Sequence, residues 1–210
     1  MYSDIFSRVY DAFGWNYYPE SFAQLLWQWI EEKQIIVRNM LDLGCGTGVL
    51  CSMMQKHGIK TYGMDLSEGM IKMAKEKYPE IPFDQGNMIT WKPGESYDLV
   101  TSTCDALNHI LDPDDVRKVF QNVYTYVNQG GYFLFDLLRE GEARECEPVD
   151  LGELDGEKLV NTEKIQERLY DPKWITEELR KAGFSEVRCT DQLLEDHSSH
   201  AATWFVVARK

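Results

Sequence analysis

The sequence predicts an α/β protein: one doubly wound sheet of seven strands, mostly parallel, with helices ahead of it and an antiparallel hairpin at its end. Three observations predict it. Short apolar runs alternate with helical periods from residue 39 to 137, the rhythm of a parallel sheet with crossover helices. A strand ending in alternating glycines, Leu41-Asp42-Leu43-Gly44-Cys45-Gly46-Thr47-Gly48, opens directly into a helix. Two late runs, residues 186–193 and 201–208, are joined by a polar stretch and not by a helix, so they should pair antiparallel.

The elements follow in order. Residues 2–18 are rich in aromatics (Tyr2, Phe6, Tyr10, Phe13, Trp15, Tyr17, Tyr18) and read as a helix and a loop. In residues 21–34, Phe22, Leu25, Leu26, Trp29 and Ile30 recur at the spacing of an amphipathic helix. Strands are expected at 40–43, 61–64, 83–85, 97–102 and 132–137. A helix spans 49–57 and stops at Gly58. Ser67 caps a helix to about Lys77, which Tyr78-Pro79 ends. Asp112-Pro113 gives an N-cap followed by proline at the first helical position, for a helix to about Asn128. Gly130-Gly131 should turn the chain into the fifth strand. Residues 139–168 are acidic, poor in aromatics, and read as a loop or small excursion. A helix over 172–182 ends at Gly183.

Composition narrows the function. Lys and Arg total 22 against 35 Asp and Glu, a net charge of −13. So acidic a surface repels phosphate backbones, and nucleic acid is not expected as a partner. The sequence contains no apolar run of about 20 residues, so no membrane span is expected. The opening stretch has no basic start followed by an apolar block, so no signal peptide is expected and a cytoplasmic location is. Cys45, Cys51, Cys104, Cys146 and Cys189 are scattered, which suggests free thiols and not a disulfide framework or a zinc site.

The glycine segment carries the chemistry. Gly44 permits the tight turn, Gly46 lets a ligand approach bare backbone, and Gly48 allows close helix–strand contact. The dinucleotide pattern G-x-G-x-x-G needs a further glycine where Val49 stands, so that pattern fails. Asp65, at the end of the second strand, can accept both hydroxyls of a ribose. A lone Asp there can also cap a helix or shape a turn, but Ser67 already supplies the cap, which favours the ribose role.

The segments LDLGCGTG, YGMDLSEGMIKMA, QGNM and YDLVTSTCDALNHI together resemble the class I S-adenosylmethionine-dependent methyltransferases. More narrowly, they are similar to a small-molecule group that starts with V-Y-D, here Val9-Tyr10-Asp11. The resemblance covers residues 5–137 well and 171–210 moderately. It implies a Rossmann-like single domain: a helical lid (1–36), a cofactor-binding core (37–137), a variable acidic segment (138–170) and a C-terminal helix and hairpin (171–210). It implies S-adenosyl-L-methionine as cofactor and a small-molecule methyl acceptor, in a monomer or homodimer.

By the same resemblance, Asp42 and the Gly44-Cys45-Gly46 backbone hold the methionine end of the cofactor. Asp65 takes the ribose, with Leu66 and Met70 beside the adenine. Asn87 and the Met88 N–H read the adenine edge, although the family usually has Asp at position 87. Thr103 and Cys104 pass near the sulfonium. Asp105, Asn108 and His109 follow the fourth strand, where open α/β sheets place ligands. His109 is the candidate base or acceptor-orienting group. Tyr10, Trp15, Tyr17 and Tyr18 lie in a segment that folds over the cleft, where aromatic faces attract a sulfonium; helix packing accounts for them equally well. The stretch 138–170 is shorter than the antiparallel insert usual in the family. Competing readings are a nicotinamide or flavin oxidoreductase, a non-catalytic cofactor-binding module, and a transferase of another group such as aminopropyl.

Overall fold

A computed structural model of the chain describes residues 4–11, 14–139, 149–154, 157–161, 166–194 and 203–210. Helices α1 (Asp4–Tyr10) and α2 (Tyr17–Glu32) lead into β1 (Asn39–Leu43), α3 (Val49–Lys56), β2 (Lys60–Asp65), α4 (Glu68–Lys77) and β3 (Phe83–Gln85). Then come β4 (Tyr97–Ser102), a 3₁₀ turn (Ala106–His109), α5 (Pro113–Tyr126) and β5 (Val127–Leu138). The chain continues through β6 (Val149–Leu154), β7 (Glu157–Asn161), α6 (Pro172–Ala182), β8 (Glu186–Thr190) and β9 (Thr203–Arg209).

The main sheet has seven strands in the order β3-β2-β1-β4-β5-β9-β8. The first five are parallel, and β9 lies antiparallel to both β5 and β8. The strand order reverses between β1 and β4, so their carboxyl ends diverge into a cleft, the place where such sheets bind ligands.

Alternation along the strands feeds two faces. Leu41 and Leu43 join Val100, Phe133 and Phe135 under the α5 stripe of Val116, Val119, Phe120 and Val123, with Ile175 and Leu179 of α6. Each of these buried side chains stabilises the fold by roughly 1.5–3 kcal/mol. On the other face Met40, Leu99, Leu134 and Phe205 meet α2 and α3. Cys51, Ile71, Ala74 and Phe83 fill a third cluster beside α4.

Four local differences from the sequence reading have physical causes. Helix α2 begins at Tyr17 rather than residue 21, because Pro19 falls in the first turn, where its missing N–H costs nothing. Helix α5 ends at Tyr126, and β5 starts at Val127. Gly130-Gly131 thus lies inside a long strand, at an irregularity where the pairing with β4 shifts between Tyr97 and Leu99. The stretch read as a loop contains β6 and β7, which pair antiparallel as a sheet of their own. Strands β8 and β9 form the expected pairing; β8 stops at Thr190, short of the end of its run, and β9 extends to Arg209, one residue past its run. Tyr2, Phe13, Cys146, His197 and His200 lie outside the described residues.

Candidate active site

The three loop glycines all have positive φ (79°, 53° and 82°), but they serve different ends. A Cβ on Gly48 would lie 2.7 Å from Phe83 Cζ, so this glycine lets α3 seat against β3. A Cβ on Gly46 would meet nothing within 4 Å. Gly46 faces open space, and that space is a cavity of about 600 Å³ at the β1/β4 switch point. The volume falls in the range of small-molecule sites.

The loop is braced from β2. Met64 O accepts from Gly44 N (2.7 Å) and Cys45 N (3.0 Å). Asp65 accepts from Gly46 N (2.9 Å) on one oxygen and from Ser67 N (2.8 Å) on the other. Burial raises the Asp65 pKa while those N–H groups pull it down. Each oxygen keeps a further lone pair for a ligand hydroxyl. Ser67 caps α4 by accepting from Met70 N. Asp42, 2 % exposed, accepts from Thr101 Oγ1 at 2.7 Å. Burial pushes its pKa up to about 7, against the pull of the Thr101 hydroxyl.

Twelve of the thirteen expected cofactor residues border the cavity: Tyr10, Asp42, Gly44, Cys45, Gly46, Asp65, Leu66, Met70, Asn87, Met88, Thr103 and Cys104. Tyr18 does not. Its hydroxyl donates to Asp136, a carboxylate 2 % exposed at the end of β5. Asn87 Oδ1 accepts from Ile89 N (2.9 Å), which turns the amide oxygen toward its own loop. Of the other N-terminal aromatics, Trp15 stacks on Phe6 with centroids 4.6 Å apart, and Tyr17 is 75 % exposed. Asp11 ties α1 down by accepting from Thr47 Oγ1 (2.9 Å) in the glycine loop and from Lys77 Nζ on α4.

Asp136 was missed by the sequence reading, and it organises the turn after β4. Cys104 and Asp105 sit at φ 57° and 51°, the left-handed region that costs a side-chain-bearing residue about 1–2 kcal/mol. Asp136 offsets this by accepting from Cys104 N (3.1 Å) and Asp105 N (2.8 Å). The available signal was a lone carboxylate inside the apolar run FLFDLL.

Of the three expected catalytic residues, only His109 borders the cavity. Asn108 is fully buried and points elsewhere. Its Nδ2 donates to Arg168 O (2.7 Å), and its Oδ1 accepts from Leu138 N (3.1 Å). It is a staple between the strand end and the segment before α6, buried away from the cavity. Asp105 stands behind His109, together with Glu167; one ligating atom from each of the three lies within 4.8 Å of the others. Burial lowers the His109 pKa, and Glu167 opposes that. Asp112 and Asp115 edge the cavity near His109, and no Lys or Arg lines it among the described residues.

Fold and cavity define a class: an α/β domain whose glycine loop opens on a cavity at the switch point. Residues 40–131 match the methyltransferase-domain family. A methyltransferase-named protein of Geobacillus sp. (strain WCH70) is 38 % identical over 104 residues, 48 % of this chain and 42 % of that protein. A dTDP-4-amino-2,3,4,6-tetradeoxy-D-glucose N,N-dimethyltransferase of Saccharopolyspora spinosa is 28 % identical over 132 residues, 62 % and 51 % of the two chains. The chain thus spans about half the length of these curated relatives or less. The crystal structure of an S-adenosylmethionine-dependent methyltransferase from Clostridium acetobutylicum superposes with a TM-score of 0.80 at 20 % identity, covering 97 % of each chain. Residues 40–131 thus match a methyltransferase domain, in a chain whose fold is that of solved S-adenosylmethionine-dependent methyltransferases.

Proposed function

We propose that this protein transfers a methyl group from S-adenosyl-L-methionine to a small molecule. The observation that carries the reading is Gly46: bare backbone opens there on a cavity walled by Asp42 and Asp65, with room for a ligand where any side chain would intrude. The residues present fit the cofactor. Asp42 and the Gly44–Gly46 backbone would take its amino-acid end, Asp65 its ribose, and Leu66, Met70 and Met88 the sides of its adenine. Asn87 contributes at the adenine edge with its amide set by Ile89. Thr103 and Cys104 border the region between the two ends, and Tyr10 covers it from α1.

When bound, the cofactor supplies a methyl carbon already activated by a positively charged sulfur. What remains for the chain is alignment and exclusion of water, for which a loop rigidly braced by Asp65 and a lid tied through Asp11 are suited. His109 stands where it can hold or accept a proton from the acceptor. Residues 1–36 act as the lid, 37–137 as the cofactor core, and 171–210 complete the sheet in one domain. No helix among the described residues is long and apolar enough to cross a membrane. A cytoplasmic setting agrees with the four free cysteines among the described residues.

Calorimetry with S-adenosylhomocysteine tests the reading. The wild-type chain should bind it and gain melting temperature, as a ligand specific to the folded state requires. Stabilisation by NAD without stabilisation by S-adenosylhomocysteine would overturn the assignment, although Val49 already breaks the dinucleotide pattern.

A further inference from the structure

At the acceptor end, three side chains from two segments converge beside the cavity: Asp105 and His109 from the turn after β4, and Glu167 from the strap before α6. Glu167 is 11 % exposed, its Oε1 lies 4.0 Å from His109 Nε2, and its Oε2 is buried without a hydrogen-bond partner. A buried carboxylate oxygen lacking a donor is costly, and a donor from a ligand would relieve it. His109 borders the cavity, and Asp105 and Glu167 bring two carboxylates within reach of its imidazole, so a donor that settles against this wall meets negative charge from both segments.

Resting on the methyl-transfer reading above, we propose that the methyl acceptor is a small amine whose ammonium group docks against His109, with the charge of Asp105 and Glu167 behind the imidazole. Asp112 and Asp115 add negative charge to the same rim, and no cationic side chain among the described residues lines the cavity to hold a carboxylate or a phenolate. The ammonium gives one proton to His109, whose pKa burial lowers while Glu167 opposes the shift. The freed nitrogen lone pair forms the N–C bond as the C–S bond breaks. The C–S electron pair stays on sulfur as a neutral thioether, and the positive charge passes to the methylated nitrogen. Asp105 and Glu167, which face His109 from its own turn and from the strap, are positioning residues: they hold the imidazole and balance its charge after it takes the proton.

The test uses the full chain. Calorimetry with S-adenosylhomocysteine comes first and reports on the cofactor reading alone; if nothing binds, that reading fails before amines enter. The S-adenosylhomocysteine-saturated protein is then challenged with matched probe sets: benzylamine, benzyl alcohol and benzoate; glucosamine, glucose and glucuronate. Amines should raise the melting temperature and, with S-adenosylmethionine, release S-adenosylhomocysteine, while the alcohols and carboxylates do neither. Glu167→Gln should raise the KM for the amine about ten-fold or more and move the acid limb of the pH–rate profile downward, since His109 loses a facing negative charge. His109→Gln should keep the amine-dependent melting shift but lose turnover at neutral pH, regaining part of it in alkali. Equal stabilisation or turnover by the alcohol or carboxylate members would overturn the proposal, as would a set in which no amine acts. A melting shift from Mn²⁺ or Ca²⁺ alone that Glu167→Gln abolishes would overturn it too, and assign the trio to a metal.

Discussion

The two ends of the cavity are built in opposite ways. The cofactor end is mostly backbone: eight consecutive residues make the loop, and one carboxylate, Asp65, fastens it. The acceptor end is mostly side chains held across about sixty residues of sequence, His109 facing the Glu167 carboxylate and the Asn108 amide donating to the Arg168 carbonyl. The difference teaches where specificity can vary. Backbone loops can hold one ligand through many sequences, whereas a side-chain cluster on a strap changes its ligand with a single substitution.

That contrast can be broken or sharpened by experiment. The largest effect is expected from Gly46→Val, which fills the cofactor end and leaves the acceptor end intact. Affinity for S-adenosylhomocysteine should fall at least 100-fold, about 3 kcal/mol, with an unchanged circular-dichroism spectrum; retained binding in calorimetry would undo the assignment of the loop. Asp136→Ala attacks the other end. It strips the acceptor from two left-handed N–H groups and from Tyr18, so unfolding free energy should drop by about 2–3 kcal/mol. Denaturant titration checks this, and Asp136→Asn should cost less.

Asp42 gives a smaller, pH-dependent effect. Its folded pKa of about 7 lies above its ordinary 3.8, so between these values the folded state holds a proton that the unfolded chain has lost. The stability this group contributes is therefore present in acid and fades as pH rises toward 7. Asp42→Asn should stabilise the ligand-free protein at pH 8 by about 1–2 kcal/mol, leave it nearly unchanged at pH 4, and weaken cofactor binding at pH 8. Parallel melting curves at the two pH values, with and without S-adenosylhomocysteine, would expose any other pattern. The smallest effect is expected from Asp11→Ala, which frees α1 from Thr47 and Lys77. The ion pair with Lys77 is partly exposed and worth roughly 0.5 kcal/mol, so release of S-adenosylhomocysteine should quicken only a few-fold in stopped flow.

The sequence by itself determined the elements whose signals are local. Alternating glycines, Ser67 and Asp112 as caps, and the stripe of α5 each act within a few residues, so spacing located the sheet and the cleft, and the family resemblance supplied most of the residues that border the cavity. The N-terminal aromatics show the limit: Tyr10 reached the cavity, but Tyr18 went to a carboxylate 118 residues away and Tyr17 to solvent. Asn108 and His109 are neighbours in sequence, yet a tight 3₁₀ turn sends one into the core as a staple and the other to the cavity. Asp136 and Glu167 carry no local signal of their roles, because burial and partners come from strands and straps that only the folded chain brings together. Local backbone chemistry is written in consecutive residues; the convergence of distant polar side chains is decided by tertiary packing.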